Sequence, residues 1–140
     1  MKIHPTAIVS PDARIADDVE IGPGAIISGD VEIGPGCTIQ ARAVIEDGTK
    51  IGSGNFIGYG AVVGGAPQDY AHHPGIKSGV VIGDKVMIGA MSGLAKNVPP
   101  NTIMFGAPAQ PIREYKENYA LLKNIRKLYD RVKALEAKAG

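Results

Sequence analysis

His72 and His73 stand three and four places after Asp69, in a stretch that also holds Gln68, Tyr70 and Lys77 among glycines and prolines. Imidazole changes charge near neutral pH, and a neighbouring carboxylate can orient it to take a proton from a hydroxyl. The alternative is an exposed loop with no special role. The only other histidine, His4, lies at the opening of the chain and reads as structural. A zinc site needs three converging imidazoles; adjacent His72 and His73 cannot easily supply two, and no clear third exists beyond His4, so no metal is expected. Asp17-Asp18 and Glu46-Asp47 read as solvated corner charges rather than acid/base pairs. Gly58-Tyr59-Gly60 lacks the strand and helix that would make it a phosphate loop.

What positions these residues is a repeat. An aliphatic residue returns at every sixth position from Ile3 through Val9, Ile15, Ile21, Ile27, Ile33, Ile39, Ile45, Ile51 and Ile57 to Val63. Two places before each from Val9 onward stands something small or narrow, from Ala7 to Ala61, with Cys37, Thr49 and Asn55 among them. Period six fits neither an amphipathic helix nor an isolated strand. It fits short strands that each bury one large and one small side chain and then turn a corner, where Gly22, Pro23, Gly34, Pro35, Gly52 and Gly58 gather. Three such hexads make one coil, so the spacing predicts a triangular parallel β-helix with Ile3, Ile21, Ile39 and Ile57 stacked on one wall, at the roughly 4.8 Å spacing of neighbouring strands. Cys37, in the small inward register, reads as core filler.

After Val63 the next inward aliphatic is due at position 69 but comes only at Ile82, so a segment of about two hexads leaves the coil. This excursion, about 65–79, carries Gln68, Asp69, His72 and His73, and a long loop on a rigid scaffold is where function usually sits. The repeat resumes through Ile82, Ile88 and Leu94. Pro99 and Pro100 help to cap an end that would otherwise template further strand pairing.

These hexads resemble those of the hexapeptide acyltransferases. The opening Ile3-His4-Pro5-Thr6-Ala7 and the later Gly64-Gly65-Ala66-Pro67-Gln68-Asp69-Tyr70 look like the UDP-N-acetylglucosamine O-acyltransferases that begin lipid A synthesis. Gly89-Ala90-Met91-Ser92-Gly93 and the closing coil look like the lipid A N-acyltransferases. The resemblance implies an all-β, left-handed parallel β-helix of about five coils, assembled as a homotrimer with active sites between subunits. It also implies sugar-nucleotide binding by Gln68 and Asp69, and an acyl carrier protein thioester as co-substrate with no tightly bound cofactor. Two departures stand out. Ala71 occupies the place of the family's lysine, and no histidine occurs between Val80 and Pro99, where the family carries its catalytic one. Either His72 and His73 carry the catalysis, or the chain, about half the family's length, keeps the fold without the reaction.

From about Ile112 the period becomes helical, with Leu121, Ile125, Leu128, Val132 and Leu135 spaced 4, 3, 4 and 3. The organisation expected is therefore a β-helix over 1–110 and an amphipathic α-helix over 111–140. A helix of that length has too little body to lie against, which points independently to neighbouring subunits. Residues 1–111 carry 7 Lys/Arg against 10 Asp/Glu, a net of −3, and residues 112–140 carry 8 against 4, a net of +4. The overall +1 points to no nucleic-acid partner, while the basic tail could dock an acidic acyl carrier protein. With no apolar leader after Met1 and no membrane-length apolar run, a cytoplasmic location is expected. The leading expectation is acyl transfer from an acyl carrier protein thioester to a sugar or sugar nucleotide. An acetyl-CoA-dependent sugar acetyltransferase and a non-catalytic trimeric scaffold stand beside it.

Overall fold

A computed structural model describes residues 1–65 and 79–139. Very short strands follow one another at corners, and each pairs in parallel with the strand one coil later. On the first wall Ile3 pairs with Ile21, Ile21 with Ile39 and Ile39 with Ile57. On the second Val9, Ile27, Ile45 and Val63 follow in register, and on the third Ile15, Ile33 and Ile51. The aliphatic ladder points inward, and from the second coil on it is buried with its small partners, including Cys37, Ala43 and Ala61. This is the parallel β-helix that the period predicts.

Beyond the excursion all three walls resume in phase. Ile51 pairs with Ile82, Ile57 with Ile88 and Val63 with Leu94, so each step spans one full coil plus the same excursion. The last coil is shorter than its period implies. Ile82 bridges to Val98 and Ile88 pairs with Met104, where full coils would reach positions 100 and 106. The strand Gln110–Pro111 then turns back antiparallel on Ile103–Phe105 and ends the parallel wall.

Corner residues repeat as regularly as wall residues. Gly24, Gly36, Gly48, Gly54 and Gly60 have positive φ, and Arg42, Lys85 and Met91 adopt the same left-handed conformation at equivalent corners. Asp47 is exposed at its corner, as expected of a solvated rim, but it and Asp84 do more than face solvent. Asp47 Oδ1 accepts the Asp30 amide at 2.5 Å and Asp84 Oδ1 accepts the Ser53 amide at 2.6 Å, so these carboxylates stitch one coil to the next. Outside the third wall Glu32 lies between Arg14 at 2.7 Å and Lys50 at 2.9 Å. The Arg14 hydrogen bond, with help from Lys50, holds its carboxyl below the usual range. The stabilisation is present above the ordinary carboxylate pKa and is lost as pH falls through the depressed one; on so exposed a surface salt screens it.

Cys37 is inside the ladder, its Sγ 3.1 Å from the Gly52 carbonyl oxygen. Burial pushes its thiol up, against the opposing backbone hydrogen bond with Asn55. The thiolate is the reactive form, so a thiol reagent at about pH 8 is expected to label Cys37 only as fast as the chain unfolds. Immediate stoichiometric labelling of the folded protein would contradict this placement. Because the folded pKa is the raised one, the thiol's contribution to stability is complete below the ordinary thiol pKa and is lost as pH rises through the folded value.

Among the described strands, the helix Ile112–Ala139 packs on Ile103–Phe105 and Gln110–Pro111. The ring of Tyr115 meets Phe105 edge-on at 4.8 Å and anchors its first turns. Beyond that its stripe is bare: Leu121, Leu122, Ile125, Leu128, Tyr129, Val132 and Leu135 are between 44% and 70% exposed. No helix among the described residues is long and apolar enough to cross a membrane.

Candidate active site at the neck of the excursion

The excursion leaves and rejoins the β-helix at one corner of the fourth coil. The Gly64 amide donates to the Leu94 carbonyl at 2.8 Å, which fixes the departing end to the next coil, and the Gly79 amide donates to the Gly64 carbonyl at 3.2 Å, which closes the neck. Both positions require glycine. Their φ values are +81° and +116°, and a Cβ on Gly79 would lie 2.5 Å from the Gly48 carbonyl carbon, while one on Gly64 would collide with Thr49 Oγ1. The insertion is thus pinned at both ends to a rigid wall, which limits where it can place a side chain.

Gln68, Asp69, His72 and His73 lie outside the described residues, so their mutual geometry is not part of the described site. What is described is the ground around the neck. The corner Glu46-Asp47-Gly48 lies one coil before it. Lys96 and Asn97 lie one coil after it, with Asn97 Oδ1 accepting the Val81 amide at 2.8 Å. Just inside, Thr49 is fully buried and its hydroxyl has no hydrogen-bond partner among the described residues. One hexad further along, Asn55 Oδ1 accepts the Val86 amide at 2.6 Å. With Ser92 on a later coil, these polar residues sit in a register otherwise filled by Ala, Val and Cys. Their place was visible in the sequence, but the hydrogen bond that Asn55 makes was not.

His4 is elsewhere. It occupies the first coil at a different corner, where its Nδ1 lies 2.9 Å from Thr6 Oγ1, and three coils separate it from the neck. At strand spacing that is about 14 Å along the axis, so His4 is a local corner residue and no partner for chemistry at the neck.

A model of the bacterial transferase hexapeptide family, six repeats long, matches residues 30–65, the stretch that ends at the neck. Residues 30–65 thus carry the hexapeptide repeat of that family. Over 83 residues the chain is 52% identical to the acyl-(acyl-carrier-protein)-UDP-N-acetylglucosamine O-acyltransferase of Xanthomonas euvesicatoria; the match takes in 59% of this chain and 31% of that one. Over 45 residues it is 47% identical to the UDP-3-O-acylglucosamine N-acyltransferase of Nitrosococcus oceani, covering 32% of this chain and 13% of the relative. Among solved structures it superposes on the UDP-N-acetylglucosamine acyltransferase of Bacteroides fragilis with a TM-score of 0.68 and 35% identity, over 74% of this chain and 43% of that one. The chain thus matches about a third of the length of the O-acyltransferase.

Proposed function

We propose that this chain transfers an acyl group from an acyl carrier protein thioester to a hydroxyl of a sugar nucleotide, working as a homotrimer with its sites between subunits. The observation that carries the reading is the 52% identity to an enzyme named for that donor and a sugar-nucleotide acceptor. In the step, His72 or His73 takes the proton of the acceptor hydroxyl. The oxygen attacks the thioester carbonyl, the new C–O bond forms as the C–S bond breaks, and the carrier thiol leaves with the proton. Asp69 orients the imidazole or holds the sugar, and Gln68 adds a hydrogen-bonding amide to the same sugar. With Ala71 where the resemblance implies a lysine, nucleotide binding rests on neutral contacts and Asp69. The neck brings the two ends of the segment that carries them to one corner, and in the proposed trimer that segment works against a neighbouring wall.

The basic helix supplies a docking surface for an acidic carrier, since a net +4 segment beside a −3 body gives the molecule a sided field. Carrier binding is expected to weaken as salt rises from about 0.05 to 0.5 M; affinity independent of salt would remove the electrostatic component.

Two measurements test the reading. Light scattering at micromolar concentration is expected to give three times the 14.6 kDa chain mass, and a value near 14.6 kDa would remove both the trimer and its between-subunit sites. Native mass spectrometry of protein purified from cells is expected to find an acyl-carrier species bound. Bound CoA in its place would favour an acetyl-CoA-dependent transferase over the carrier-dependent one.

A further inference from the structure

The outer faces of the three walls differ in kind. On the third, Arg14, Glu32, Lys50 and Val81 point outward, and the first three form a ladder of ion pairs. The first begins with the ion pair Lys2–Glu20 and becomes apolar only at Phe56, Met87 and Ile103. The second presents Ile8, Ile26, Val44 and Val62, and then Gly93, with no polar or charged side chain in any outward strand position. Ile8 is 65% exposed, Ile26 and Val62 somewhat over a third, and Val44 is half-buried. An uninterrupted aliphatic face on a small protein marks a contact surface.

The edges of this face indicate what covers it. Along the corner that leads to the third wall stand Asp12, Asp30, Glu46 and Asp47 in the first three coils. Along the opposite corner, among the described residues, Arg42 is the one formal charge, set between Gly24 and Gly60 with Tyr59 and Met91 beside it. One chain therefore carries an apolar strip with an acidic edge on one side and a guanidinium on the other. Two copies related by a rotation about an axis along the β-helix can bring the Arg42 edge of one against the acidic edge of the next, the head-to-tail relation that closes into a ring.

We infer that self-association buries the second wall, Ile8, Ile26, Val44 and Val62, against the Arg42 corner of a second copy of this chain, and that the charged third wall stays in solvent. This rests on the trimer proposed above and adds the face that makes it.

The test compares outward positions, which can be changed without entering the core. The double variant Ile26→Glu, Val62→Glu is expected to fall to about 14.6 kDa by light scattering while keeping its circular dichroism spectrum, and Val81→Glu on the third wall is expected to keep the wild-type mass. An associated wild type whose double variant keeps the same mass overturns the assignment of the face and leaves the trimer standing. Dissociation by Val81→Glu as complete as by the double variant overturns it equally. A monomeric wild type instead overturns the trimer itself. Should the double variant unfold, Arg42→Glu provides the second reading at an exposed corner. It is expected to weaken association at least about tenfold, with Glu46→Arg in the same chain restoring it, because like charges would otherwise meet at the contact. Unchanged association of Arg42→Glu would overturn the proposed edge pairing.

Discussion

On the proposed acyl-transfer reading, a chain carrying both His72→Ala and His73→Ala is expected to transfer acyl groups at least about 100-fold more slowly than the wild type, the low end of what a positioned general base contributes. Three histidines occur in the whole sequence, and His4 is engaged with Thr6 in the first coil, three coils away from the neck. If an imidazole takes the proton, it comes from this pair. Because the loop departs and returns at one pinned corner, the substitution leaves the coils above and below untouched, and assembly and melting temperature should stay nearly unchanged. Asp69→Ala is expected to depress the same step, through the orientation of the imidazole or the grip on the sugar. Full activity in the double variant would move the base elsewhere and remove the loop from the chemistry.

Ile45→Ala is expected to cost on the order of 2 to 5 kcal/mol of stability, as buried large-to-small changes do. Ile45 is wholly buried, stacked between Ile27 on the coil before and Val63 on the coil after, with small Ala43 and Ala61 completing the layers. The short strands hold the neighbouring backbones by regular hydrogen bonds, so they cannot easily collapse into the cavity. Urea denaturation of the two proteins reads the difference. A loss below about 0.5 kcal/mol, less than even a buried Ile→Val change typically costs, would mean that Ile45 does not belong to the ladder.

The ladder was legible in the sequence because it obeys a simple rule. Ile45 has its wall neighbours Ile27 and Val63 one full coil away on either side, and the jump from Ile51 to Ile82 can be counted from residue order alone as one coil plus a departure. The helix was legible from the switch of period at Ile112. Side-chain work at the corners was not: Asp47 and Asp84 look like ordinary surface acids, and only their approach to the Asp30 and Ser53 amides makes them stitches between coils. Nor was the contraction of the last coil, which arises where Pro99 and Pro100 replace a regular corner. The site is the least periodic part of the chain. Residue types and order mark Asp69, His72 and His73 as candidates, but a stretch freed from the hexad rule gives no register from which to place them.

Turnover tests the acyl-transfer reading most directly. The full chain is incubated with UDP-N-acetylglucosamine and acyl carrier protein charged with chains of several lengths, and the sugar nucleotide is followed by mass spectrometry, with the His72→Ala, His73→Ala protein alongside. The expected result is a sugar nucleotide heavier by one acyl group, formed with one preferred chain length and at least about 100-fold more slowly by the variant. No acylated product from any carrier-bound or CoA-bound donor, with the wild type folded and trimeric, would contradict it and leave a β-helix that serves as a scaffold.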